Sequence, residues 1–171
     1  MLHILHDEIN EVCMISCICE LGNNSFRIDY VQQPTQEQLE QINQLIVAWP
    51  LKVAKLEKVT QLDSNWSNLT NQGWTSPGGW KLGLNTQDVT LLTGAFILLK
   101  ETSSLGLGNT TSIIDLDNIP HELNLQEMTQ LMLLYGQYRS QISQQYSTKK
   151  QAIESAASLE DLEDVDIGFI V

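Results

Sequence analysis

One helical stripe constrains this chain more than any other feature. Met128, Leu131, Met132, Tyr135, Tyr138, Ile142, Tyr146, Lys149 and Ile153 recur at steps of three or four, the spacing that gathers side chains on one face of an α-helix. Asn124 precedes the stripe, with Glu127 three residues on, the pattern of a capping box. Unbroken to Ala157, such a helix runs about 50 Å at 1.5 Å per residue. That is longer than a domain of this size needs for its own core. The excess length predicts packing against another chain or a copy of itself.

A second stripe precedes it. Val53, Leu56, Val59, Leu62, Trp66 and Leu69 form a narrow seam of the coiled-coil kind on a helix expected over 51–69. The seam also suits ordinary packing on the rest of its domain. As a candidate oligomer interface we take Leu56, Val59, Leu62 and Trp66 together with Leu131, Tyr135, Tyr138 and Ile142.

Upstream the period changes. Cys13, Ile15, Cys17 and Cys19 alternate, as do Phe26, Ile28 and Tyr30, about a turn at Gly22-Asn23-Asn24. The pair predicts an antiparallel hairpin, with a third strand around His3 and Leu5. Thr35 and Gln38 open a helix carrying Leu39, Ile42, Leu45 and Ile46, which Trp49-Pro50 is expected to end. Downstream, Gly73 to Trp80 reads as a loop flanked by large aromatics, and Trp80 to Leu84 as a short strand. A helix capped by Thr86 follows to about Lys100, apolar nearly all round and so expected to be central. A hairpin around Asp117-Asn118 leads into the long helix. The resulting fold class is α+β: an N-terminal hairpin plus helix (1–50), a helix-rich domain with two small β elements (51–158), and an acidic and apolar C-terminal segment (159–171) whose apolar end either frays or is covered by something.

The formal net charge of −12 opposes nucleic acid, whose phosphates need a basic footprint, and anionic lipid. No apolar run reaches the roughly 20 residues of a membrane span, and the first residues lack the basic start of a signal peptide. Synthesis in a cytoplasm is the expectation.

The search for chemistry finds no catalytic set. His3, His6 and His121 are the histidines; for His121 the candidate carboxylate is Glu122 or Asp115. Gly106 to Thr111 lacks the lysine of a phosphate loop. The acidic run Glu160 to Asp166 lacks the central glycine of a calcium loop. No metal and no cofactor is expected. The odd cysteine count leaves at least one of Cys13, Cys17 and Cys19 without an internal partner. Their shared parity predicts one environment for all three, either buried thiols or an interchain disulfide.

From residue 51 onward the order of elements, with the strings GGWKLGLN, DVTLLTGAF, DNIPHELNLQEM and KKQAIESA, resembles a domain of unknown function that recurs in bacteriophage tail and tail-fibre proteins. The resemblance covers about residues 51–157. It implies a virion tail component of a fibre or baseplate, made in the host cytoplasm, whose partners are itself, with a trimer favoured, and neighbouring tail proteins. It carries over no active site. The alternatives are a tail-fibre assembly chaperone absent from the mature particle, and a small hydrolase acting on host-surface material.

Overall fold

The computed structural model describes residues 1–22 and 25–170. It is α+β: five helices and three separate two-stranded antiparallel sheets among the described residues. The chain divides into two compact units. One comprises Met1–Thr60 with Ile153–Val165, the other Gln61–Ala152 with Asp166–Val171. The boundary thus falls ten residues beyond the expected position at residue 50, and the C-terminal segment is shared between the units.

The first unit opens with helix α1 (Leu2–Val12), not the strand expected around His3 and Leu5. Leu2, Leu5, Ile9 and Val12 fall at helical spacing. Leu5 and Ile9 are fully buried, in a cluster with Cys13, Ile15, Ile18, Ile42 and Trp49. The predicted hairpin is β1 (Ile15–Gly22) and β2 (Ser25–Tyr30). Its expected turn at Gly22-Asn23-Asn24 lies partly outside the described residues. The register shifts between Ile15 and Cys17 and again between Glu20 and Gly22. A bulge of this kind breaks the two-residue alternation, so Ile15 and Ile18 both point inward.

Helix α2 runs from Gln36 to Gln72 with Pro50 inside it, where the sequence predicts two helices. Proline in a helix interior costs about 3 kcal/mol. Apolar residues on both sides of it offset that cost: Ile42, Leu45, Ile46, Trp49 and Val53 all join the first unit's cluster. The expected cap is present, since Thr35 Oγ1 accepts from Gln38 N at 3.2 Å and Gln38 Oε1 accepts from Thr35 N at 2.9 Å. A Lys52–Glu8 ion pair joins α2 to α1.

In the second unit, β3 (Trp74–Thr75) and β4 (Lys81–Leu82) make a small hairpin where a loop and a longer strand are expected. Helix α3 (Thr86–Ser104) is capped by Asn85, one residue before the expected Thr86. Strands β5 (Thr110–Ile114) and β6 (Pro120–Asn124) form the predicted hairpin. It enters helix α4 (Leu125–Ser155) through the capping box: Asn124 Oδ1 accepts from Glu127 N, and Glu127 Oε2 accepts from Asn124 N. Leu82, Leu84, Leu92, Leu99, Ile113, Met128, Leu131, Tyr135 and Ile142 make the core.

Helix α3 is not buried all round. Leu92 and Leu99 face the core, but Leu91, Ile97 and Leu98 are more than half exposed. Up to Ile170 the C-terminal segment is packed and hydrogen-bonded, the covered one of the two alternatives. Helix α5 (Leu159–Glu163) is capped by Ser158. Beyond it, Phe169 lies 5.8 Å from the Trp66 ring, and Gln145 both donates to Ile170 O and accepts from Ile170 N.

Candidate functional site

The aromatic-flanked, glycine-bearing segment 73–80 builds the most structured polar site among the described residues. Gly73 has φ +74°, and a Cβ there would meet the Leu82 carbonyl at 2.5 Å, so only glycine closes this hairpin. Ser76 N donates to Trp80 O at 2.8 Å and Gly79 N to Ser76 O at 2.9 Å. Trp74 packs edge-on to Tyr135, and Tyr135 donates its hydroxyl to Gly83 O at 2.7 Å. Burial pushes that phenol up to about 12.

Trp80 stacks on His121 with centroids 4.3 Å apart and planes 10° from parallel. The imidazole Nε2 meets Asp115 Oδ2 at 2.8 Å. The other oxygen, Asp115 Oδ1, accepts from Asp117 N and Ile119 N, both at 2.9 Å, and so fixes the β5–β6 turn in which Asn118 takes φ 61°. The hydrogen bond from His121, then those from Ile119 and Asp117, hold the Asp115 carboxyl below its usual range. Leu116 N donates to Lys81 O at 2.9 Å and ties the turn to β4.

Of the two carboxylates considered for His121, the structure therefore chooses Asp115. Glu122 instead accepts from Thr110 Oγ1 at 2.8 Å. A nucleophilic triad needs a hydroxyl or thiol hydrogen-bonded to the imidazole. Among the described residues the imidazole of His121 hydrogen-bonds to Asp115, which accepts, and both carboxylate oxygens are engaged. The arrangement orients an imidazole against an indole and locks a turn.

Sequence reasoning passed over Ser76 and Trp80 as site residues. Ser76 is 4% exposed, its Oγ has no hydrogen-bond partner, and with Pro77, Gly78, Trp80, Leu123, Glu127, Gln130 and Leu131 it lines a cavity of about 310 Å³. The available signal was a Ser-Pro-Gly-Gly turn between two tryptophans.

The three cysteines do not share one environment: the register shift after Ile15 sets Cys13 apart, while Cys17 and Cys19 stay on one strand face either side of the buried Ile18. Cys13 is buried, Cys17 half-buried and Cys19 exposed. Cys17 Sγ donates to Asp29 Oδ2 at 3.0 Å, and Arg27 donates to both oxygens of the same carboxylate. Arg27 first, then Cys17, draws Asp29 down to about 2, while the hydrogen bond to Asp29 pushes the Cys17 thiol up to about 11. No group of three or more His, Cys, Asp and Glu side chains suited to a metal occurs among the described residues.

The proposed seam is divided. Leu62, Leu131, Tyr135 and Ile142 are buried within the chain itself, and Trp66 and Tyr138 pack against the same core as the last three. Val59 is half-buried and Leu56 is 39% exposed. These stripes serve the chain's own packing, so most of their side chains are already covered. A different row is open: Leu91, Leu98 and Leu105, seven residues apart, are 65%, 63% and 69% exposed.

The chain matches no family model, no curated protein and no solved structure in sequence or fold comparison. No helix among the described residues is long and apolar enough to cross a membrane.

Proposed function

We propose that this protein is a structural component of a bacteriophage tail, in a fibre or baseplate, acting through self-assembly and contacts to neighbouring tail proteins rather than through catalysis. The tail assignment rests on the resemblance of residues 51–157. The observation that supports an assembly role is the open row on α3. Residues seven apart lie within about 20° of one another around a helix, so Leu91, Leu98 and Leu105 make one apolar stripe. One leucine per heptad, with Gly94 or Ala95 and Glu101 or Thr102 between, is a narrow apolar row and not a full coiled-coil seam; a second copy would supply a matching row. Leu107, 76% exposed, prolongs the apolar surface beyond the helix.

Mass spectrometry of purified particles tests the assignment. A structural component is present in the particle; an assembly chaperone is made with it and missing from it. Sedimentation of the isolated protein tests the stripe: a larger assembly, a trimer by the resemblance, falls to monomer in Leu98→Glu with helix content unchanged. A monomer for the unmodified protein at high concentration removes self-assembly.

A second reading, a small hydrolase acting on host-surface material, draws on the His121–Asp115 contact of 2.8 Å. Host adsorption and assembly unchanged by His121→Ala would remove it.

A further inference from the structure

We propose that helix α3 pairs with α3 of a second copy, antiparallel about a twofold axis at Leu98. The pairing rests on the self-assembly reading above and names its contact. Leu91, Leu98 and Leu105 are the open row. Leu91 also lines, with Ala95, Ile114 and Leu116, a cavity of about 330 Å³ between α3 and β5. Row and cavity make one contiguous apolar surface, the kind that marks a contact with another chain. Gly94 is an independent observation. Glycine weakens a helix interior, and no packing inside the chain requires it here: an added Cβ meets nothing within 4 Å. What a glycine beside Leu98 does permit is the close approach of a second backbone.

The charges choose the direction. Helix α3 carries two acids, Asp88 and Glu101, and one base, Lys100. Lys100 is two residues from Leu98 and so points away from the row. In a parallel pair, or a parallel trimer, Glu101 comes level with Glu101 and Asp88 with Asp88. Turned antiparallel about Leu98, Glu101 of the second copy stands opposite Ala95 and Thr102 opposite Gly94, large side chain against small. The two Glu101 residues are then about 9 Å apart along the axis. Leu98 meets Leu98, and Leu105 comes level with Leu91 beside the cavity. A basic partner chain finds a single acid, Glu101, between the leucines; a second copy finds a matching leucine for each of the three. The surface therefore favours two copies where the resemblance implies three.

Sedimentation equilibrium of the full chain, from about 10 µM to about 1 mM to reach the weak range of a single-helix contact, should show monomer and dimer. Leu98→Ala should weaken the pair at least about tenfold, since the twofold axis removes two leucines from each dimer. Gly94→Leu separates this pairing from general stickiness: it adds apolar surface and helix propensity, yet should abolish the dimer by blocking close approach. Direction is read by disulfide trapping in a chain carrying Cys17→Ser and Cys19→Ser, oxidised with copper–phenanthroline. Leu91→Cys mixed with isotope-labelled Leu105→Cys should give the mixed disulfide, whereas a parallel pair links each variant to itself. A monomer throughout overturns both this pairing and the self-assembly reading. A trimer, like-with-like disulfides, a dimer unchanged by Leu98→Ala or one strengthened by Gly94→Leu overturns the pairing and leaves self-assembly standing.

Discussion

Strands β1 and β2 pair with two shifts of register, whereas β5 and β6 pair residue for residue from Thr110–Asn124 to Ile114–Pro120. Each is an isolated two-stranded sheet, a structure marginal in water without something packed on it. The first keeps its polar network on the surface, where Arg27, Asp29 and Cys17 share hydrogen bonds. The second turns its carboxylate inward: the Asp115 side chain is 2% exposed and holds two backbone amides and His121. Where a polar group sits decides what its loss does. A surface pair competes with water and yields little; a buried acceptor whose donors lose it leaves them stranded.

The largest expected effect lies in the core that β5 joins. Ile142 is 1% exposed in the core that β5 joins, so Ile142→Glu buries an uncompensated carboxylate and abolishes the near-ultraviolet circular dichroism of a folded chain. Ile113→Ala, on β5 itself, should cost about 2–5 kcal/mol in denaturant unfolding. Asp115→Ala comes next, with a clear fall in Tm. Because its folded pKa is depressed, its contribution is full above the unfolded value near 4. It is lost as pH falls through the lower folded value, and the wild-type Tm should drop toward that of the variant there. Asp29→Ala in the first hairpin should leave Tm at neutral pH unchanged within error. It should instead bring the Cys17 thiol down from about 11 toward its ordinary value, read by ultraviolet titration of thiolate. A Tm loss as large as that of Asp115→Ala would break the comparison. Smallest is a matter of rate: iodoacetamide should label exposed Cys19 before Cys17, and Cys13 only on unfolding.

Local signals in the sequence were legible where chemistry is local. Both capping boxes, Thr35 with Gln38 and Asn124 with Glu127, are readable from residue type and spacing alone, and both form. What escaped depends on tertiary packing. The bulge after Ile15 inserts no distinctive residue, so the cysteine alternation looked unbroken. Pro50 ends a helix by local rules, yet apolar neighbours on both sides carry α2 through it. Around His3 and Leu5, a strand reading overlooked Leu2, Leu5, Ile9 and Val12, which mark a helix. The His121–Asp115 pair was within reach as one of two options, but the stack on Trp80 joins residues forty-one apart and has no local signature.

Trp66 has Tyr146 at 5.1 Å on one side and Phe169 at 5.8 Å on another. Such a trio is an optical gauge. Excited at tyrosine wavelengths, Tyr146 hands its energy to the indole, while Phe169 shields that indole from water and keeps its emission blue. Detachment of the last residues removes the shield without disturbing the donor. Trp66 is one of four tryptophans, so the difference in emission between the chain and its Trp66→Phe variant reads out whether the C-terminal segment is seated, without a label.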